Sequence, residues 1–173
     1  NGDNMADLLI GERDSTRAFL IFGNPGPLGN VDLDAGQTGY RTLLQAPATI
    51  RGLATAGDVD ADGYADLLIR ADGTAYLLRG HPGPWDETVY VADEAAFSWS
   101  DVTGALGVGD VDGDERGEWV TMAASQVALH GLSSGGSLEP PTTLASADTA
   151  PRVAALGDID GDSRADWIYT TGG

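Results

Sequence analysis

An all-β chain, a segment of a β-propeller with about three four-stranded blades and part of a fourth, is what this sequence predicts. Three observations point there. The acidic stretch "GDVDADGYADLLI" at 57–69 recurs as "GDVDGDERGEWVT" at 109–121 and "GDIDGDSRADWIY" at 157–169, with a shortened copy, "NGDNMADLLI", at 1–10. The last acids of these copies, Asp7, Asp66, Glu118 and Asp166, stand 59, 52 and 48 residues apart. Between them lie short apolar runs closed by turn residues, with no helical periodicity. A period of roughly 50 residues holding about four short strands fits one blade. A β-helix repeats at much shorter intervals, and a sandwich does not repeat so regularly.

The elements follow in order within each period. An apolar run after the acidic loop, such as "ADLLI", forms one strand. "AFLIFGNPGPL" (18–28), "AYLLRGHPGPW" (75–85) and the weaker "VALHGLSSGGSL" (127–138) each read as a strand followed by a turn-rich loop. "GYRTLLQAP", "TVYVADEAAF" and "TTLASADTA" are expected as the next strands. "ATIRGLATAG", "DVTGALGVG" and "RVAALG" lead into the following acidic loop. The whole chain, 1–173, is expected to be one propeller segment, with repeats at about 1–59, 60–111 and 112–159 and a partial one at 160–173.

Counted from Asp58, side-chain oxygens fall at positions 1, 3, 5 and 9 of the loop, as Asp58, Asp60, Asp62 and Asp66. Tyr64 at position 7 adds a backbone carbonyl. Hard oxygens in that number suit Ca²⁺, which takes 6–8 of them once a carboxylate binds through both oxygens or water joins. Gly63 at position 6 permits a sharp left-handed turn; the other loops carry Glu115, Ser163 and Asn4 there. An EF-hand needs Glu at position 12 and flanking helices, whereas position 12 here is Ile69, Thr121 or Tyr169 on an apolar strand. Mg²⁺ prefers tighter octahedral geometry and retains waters, so an all-protein oxygen cage favours Ca²⁺. The plainer alternative, acidic turns holding no metal, leaves mutually repelling carboxylates uncompensated. Calcium here is expected to be structural, tying two strands together.

Composition sets the outer limits. The 173 residues carry 27 acids against 9 bases, every base an Arg, for a net charge of −18. That field opposes nucleic acid and anionic membrane as partners. Halophilic adaptation would spread acid over the surface, but about half of the acids sit in the four loops. Without cysteine there are no disulfides, thiolate metal sites or Cys nucleophiles. No apolar run approaches the roughly 18–20 residues of a membrane-spanning helix, so membrane insertion is not expected.

The "GD-V/I-D-x-D-x-x-x-D/E" loop followed by an apolar strand resembles the FG-GAP repeat of integrin α-subunit propellers and of related bacterial secreted proteins, over three periods and the start of a fourth. The "GAP" tripeptide of that family reads "GER", "RAD", "MAA" and "TTG" here, so the metal loop and the blade, rather than an integrin-type ligand surface, carry over. The resemblance implies calcium ligands at Asp58, Asp60, Asp62, Tyr64 (backbone) and Asp66. The following loops correspond through Asp110, Asp112, Asp114, Arg116 (backbone) and Glu118, then Asp158, Asp160, Asp162, Arg164 (backbone) and Asp166. The first loop keeps Asn1, Asp3, Met5 (backbone) and Asp7.

Three periods and a fraction fall short of the 4–8 blades of a closed propeller. "ADLLI" and "ADWIY" are the same strand of the repeat, so the ends overlap instead of complementing one another. The expectation is a segment of a longer array, or several copies assembling into one ring.

Catalysis has little support. His81 and His130 fall in the same neighbourhood of successive repeats and read as strand-end residues. "GLSSGGS" reads as a flexible loop, and Asp86–Glu87 and Asp93–Glu94 as solvated edges. Trp119 and Trp167, at the position of Leu8 and Leu67, are expected in the core between blades. Trp85 and Trp99 are the candidates for stacking on a ligand, against edge packing as the plainer reading. The expectation is a non-catalytic, calcium-stabilised recognition or adhesion module for a protein or glycan, secreted or displayed at the cell surface. Extracellular free calcium is millimolar, the range in which such modules bind it. The alternatives are a carbohydrate-binding propeller and an accessory propeller of a secreted polysaccharide lyase or hydrolase.

Overall fold

The computed structural model describes residues 1–26, 32–33, 41–124, 126–146 and 151–170. Leu28, aligned above with Trp85, lies outside them, as does the end of "TTLASADTA". The acidic loops at 58–66, 110–118 and 158–166 are hairpin connections. The lead-in strand β4 (Ile50–Gly57) pairs antiparallel with β5 (Asp66–Ala71), so the loop is closed by Gly57 opposite Asp66. Likewise β9 (Gly104–Gly109) meets β10 (Glu118–Ala123) with Gly109 opposite Glu118, and β13 (Arg152–Gly157) meets β14 (Asp166–Thr170) with Gly157 opposite Asp166. All three hairpins shift register beside that pair. The closing glycines explain the irregularity: each has a left-handed φ, +85°, +87° and +70° respectively, which glycine adopts without steric cost.

Among the described residues, three sheets have four strands and one has two. The second sheet runs β4–β5–β6–β8, with β6 at Thr74–Leu78 and β8 at Phe97–Trp99. The third runs β9–β10–β11–β12, with β11 at Gln126–His130 and β12 at Thr142–Ser146. The fourth is β13–β14. The first consists of β1 (Leu8–Gly11), β2 (Arg17–Ile21), β3 (Arg41–Gln45) and β7 (Thr88–Tyr90). This is the propeller-like arrangement expected, and among the described residues no ring closes. No helix among the described residues is long and apolar enough to cross a membrane, which says nothing of membrane β-barrels.

One stretch departs from expectation. "TVYVADEAAF" is not a single strand: 88–90 crosses back to pair in parallel with β3 of the first sheet, Val91–Glu94 makes a single helical turn, and 97–99 returns as the outer strand of its own sheet. Val89 and Val91 decide this, because both are buried in the core shared by the first two sheets.

The cores lie between successive sheets. Ala18, Leu20, Leu44, Leu67, Ile69 and Leu78 fill the first; Ala56, Val59, Leu68, Leu77, Trp119 and Leu132 fill the second. Val108, Val120 and Val127, with Val153 and Trp167 against them, form the third. Neighbours on one strand therefore face opposite cores, Leu67 and Leu68 on β5, Trp119 and Val120 on β10. Both faces of the strand are covered, which is why these strands read as unbroken apolar runs instead of alternating. Trp119, fully buried, occupies the inter-sheet place expected of it.

The lead-in strands are built of small residues because they approach closely. A Cβ on Gly107 of β9 would lie 2.6 Å from the Thr55 carbonyl oxygen and 2.7 Å from Ala56 Cα, both on β4. A side chain there would force the two sheets apart.

Candidate metal centres

Side-chain-to-backbone hydrogen bonds give each loop its shape. In loop 58–66, Asp62 N–H and Gly63 N–H donate to Asp58 Oδ1 and Oδ2 (3.1 and 2.8 Å), and Tyr64 N–H donates to Asp62 Oδ1 (2.9 Å). The next loop repeats this with Asp114 and Glu115 N–H on Asp110 (3.2 and 2.9 Å), and Arg116 N–H on Asp114 (2.9 Å). The last does so with Asp162 and Ser163 N–H on Asp158 (3.2 and 2.9 Å), and Arg164 N–H on Asp162 (2.9 Å). The first loop keeps the end of the pattern: Asp3 N–H on Asn1 Oδ1 (3.1 Å) and Met5 N–H on Asp3 Oδ1 (2.8 Å).

Position 6 is left-handed in all four loops, at Asn4 (+62°), Gly63 (+89°), Glu115 (+68°) and Ser163 (+71°). Position 4 is left-handed as well, at Gly2, Ala61, Gly113 and Gly161, which the sequence reading did not anticipate. The glycines at three of those four positions were the available signal; Ala61 obscured it.

In loops 58–66 and 110–118 the acid at position 9 lies deepest. Asp66 is fully buried and accepts from Val59 N–H (2.7 Å) through one oxygen and Gly80 N–H (2.6 Å) through the other. Burial, reinforced by the Asp60 and Asp62 charges and opposed by those two hydrogen bonds, lifts its pKa to about 6. Glu118, also buried, accepts from Val111 N–H (2.8 Å), and burial with the nearby Asp112, Asp114 and Asp110 raises it to about 7. Asp166 accepts from Ile159 N–H (2.9 Å), and Asp7 from Gly23 N–H (2.9 Å).

Three groups of carboxylate oxygens gather within 4.8 Å: Asp58, Asp60 and Asp62; Asp110, Asp112 and Glu118; Asp158, Asp160 and Asp166. Two unit charges 4 Å apart repel by about 1 kcal/mol in water and about 4 kcal/mol at an effective dielectric of 20. Asp60 Oδ1 is buried with no hydrogen-bond partner. An all-oxygen set of this charge, with an orphaned buried oxygen among it, fits a hard divalent cation such as Ca²⁺. The grouped acids, with Asp66, Asp114 and Asp162 from the same loops and the carbonyls at position 7, are the residues that would hold it. The ion would supply positive charge and cross-linking, not chemistry on a substrate.

Successive loops are also joined directly. Gly117 N–H donates to the Asp58 carbonyl (2.7 Å), and Ala165 N–H to the Asp110 carbonyl (2.6 Å). Position 7 side chains lie over position 4 of the preceding loop: a Cβ on Gly2 would collide with the Tyr64 ring, and one on Gly113 would sit 3.2 Å from Arg164 Nε.

Among the other candidates, Trp99 packs against Trp119 (ring centroids 5.6 Å apart) and His130 (5.0 Å). Trp85 stacks on His81 at 4.1 Å and borders a cavity of about 360 Å³ with Phe22, Asn24, Arg41 and Glu87. The two histidines are not equivalent. His130 is in β11 opposite Trp119, buried, hydrogen-bonded to Thr121 Oγ1 (2.8 Å) and lowered to a pKa of about 4 by burial. His81 lies beyond β6 and is exposed.

No curated protein and no solved structure matches the chain. Residues 51–91, which run from β4 through loop 58–66 to the end of β7, match the family profile of the FG-GAP repeat. Residues 51–91 are thus an FG-GAP repeat, and the acidic hairpin within them is built again at 110–118 and 158–166.

Proposed function

We propose that this chain is a non-catalytic recognition or adhesion module outside the cell, whose acidic hairpins bind structural calcium. The observation that carries the reading is the threefold recurrence of a carboxylate group within 4.8 Å at the closing turn of a hairpin. Each such turn also hydrogen-bonds its neighbour through Asp58 or Asp110, so an ion in one loop stiffens the joint between two sheets. A divalent ion there relieves repulsion that the fold otherwise carries, and millimolar extracellular calcium suffices for weak sites of this kind. Thermal unfolding in 2 mM calcium against excess chelator tests it. The melting temperature is expected to rise by 10 °C or more with calcium; superimposable melts would refute it.

A second reading, glycan binding, is favoured by the cavity beside Trp85. Its aromatic wall, with Arg41, Glu87 and Asn24 alongside, joins an apolar face to polar groups as sugar recognition requires. Calcium-loaded protein on a glycan array, with Trp85→Ala as control, decides between a sugar and a protein ligand.

A further inference from the structure

Loop 58–66 has beside it a guanidinium supplied from outside the loop, by the residue that follows β6. Cross-strand register fixes the equivalence: Leu8 faces Ile21, Leu67 faces Leu78, and Trp119 faces His130. The residues that follow are Phe22, Arg79 and Gly131, so only the second sheet places a guanidinium there. Arg79 Nε lies 3.2 Å from Asp60 Oδ2, an ion pair whose alignment falls short of a hydrogen bond, while Arg79 Nη2 donates to the Gly136 carbonyl (3.2 Å) in the next sheet's 133–136 turn. Asp60 is one of the three grouped acids of its loop, and its side chain is only 13% exposed.

The other loops differ. In loop 110–118 the guanidinium belongs to the loop itself, Arg116 Nη1 pairing with Asp114 Oδ2 (2.9 Å) outside the three grouped acids, and Arg164 above Gly113 makes no ion pair with that loop. Among the described residues, Asp158, Asp160 and Asp166 have no ion-pair partner. The grouped carboxylates at 58–66 thus carry three negative charges with one positive charge already in place.

We propose that Arg79 is a resident counter-ion of loop 58–66, which holds Asp60 when calcium is absent and weakens calcium binding at this loop. The proposal rests on the calcium reading above. A guanidinium anchored at Gly136 stays near the cluster and repels an incoming divalent ion, while its pairing with Asp60 must be broken or weakened as the ion takes that carboxylate.

The test is a calcium titration of the isotope-labelled chain by NMR. The Gly63 amide, which donates to Asp58, reports loop 58–66, and the Gly113 amide, which donates to Asp110, reports loop 110–118. Arg79→Gln moves the Gly63 midpoint to about tenfold lower calcium, leaves that of Gly113 in place, and lowers the melting temperature of the calcium-free protein. Arg79→Lys, which keeps the charge, holds the Gly63 midpoint within about twofold of the original. An unchanged or raised midpoint in Arg79→Gln, an equal shift in Arg79→Lys, or an unchanged calcium-free melt overturns the proposal alone. If neither amide responds at millimolar calcium, the calcium reading falls and takes the proposal with it.

Discussion

Loops 58–66 and 110–118 are two solutions to one backbone problem. Both close a hairpin on a left-handed glycine, both turn left-handed at positions 4 and 6, and both bury an acid at position 9. They differ in how that acid is used. Asp66 spends each oxygen on a backbone N–H, Val59 and Gly80, and so clasps the loop to the end of β6. Glu118, one methylene longer, takes Val111 N–H alone and joins the carboxylate oxygens gathered within 4.8 Å, as Asp66 does not. Asp166, also an aspartate, joins its group as well, so the difference lies in the second N–H, from Gly80, that Asp66 accepts and Glu118 and Asp166 do not, and not in the length of the side chain.

Removing those acids should break the comparison most visibly. Asp66→Ala strands two buried N–H groups and is expected to cost about 3–5 kcal/mol, against about 1–2 kcal/mol for Glu118→Ala, which strands one. Urea unfolding in chelator measures both, and equal losses would contradict the division of roles. Next come the closing glycines. Alanine at Gly57 or Gly109 meets the left-handed penalty of about 1 kcal/mol, but at Gly109 its Cβ would also lie 2.7 Å from Ala165 Cβ, whereas at Gly57 the nearest atom is 3.7 Å away. Gly109→Ala should therefore cost about 2–3 kcal/mol and Gly57→Ala about 1 kcal/mol, read from the same unfolding curves.

The pH dependence sharpens the contrast further. Glu118 is raised from 4.5 to about 7 and Asp66 from 3.8 to about 6, so without metal the fold retains their protons more tightly than the unfolded chain does. That stabilisation is fully present below the unfolded values and disappears as pH rises through the folded ones. Melts in chelator should fall between pH 4.5 and 7, and Glu118→Gln should flatten the upper part of that fall. A calcium-free melt that rises across this window would refute the assignment. The smallest expected effect is at position 6, where Gly63 and Glu115 share a left-handed backbone. Glu115→Gly should stabilise by about 0.5–1 kcal/mol through relief of that strain, detectable as a raised urea midpoint.

Legibility in the sequence followed locality. Loop chemistry is written in consecutive residues, so carboxylates at positions 1, 3, 5 and 9 and the turn at Gly63 could be read directly. Trp119 could be placed in a core because it aligns with Leu67 in an internal repeat. Other features were hidden because they depend on neighbours far along the chain. Val89 has the same alternation whichever sheet it joins, and only the space beside Leu44 sends 88–90 to the first sheet. His130 does end its strand, but sequence spacing does not report strand register, which sets His130 opposite Trp119 and leaves His81 beyond the end of β6. Arg79 is an ordinary strand-end residue until β6 brings it to Asp60.

By itself the sequence determined the repeat, the hairpin turns and the oxygen-rich composition of each loop, because all three are local consequences of residue type and spacing. Only the tertiary structure decided which three carboxylates converge in each loop, that one loop's N–H bonds the carbonyl of the loop before it, and that a guanidinium stands beside Asp60. Those are distances between separate hairpins, set by how closely the small-residue strands β4, β9 and β13 let the sheets pack.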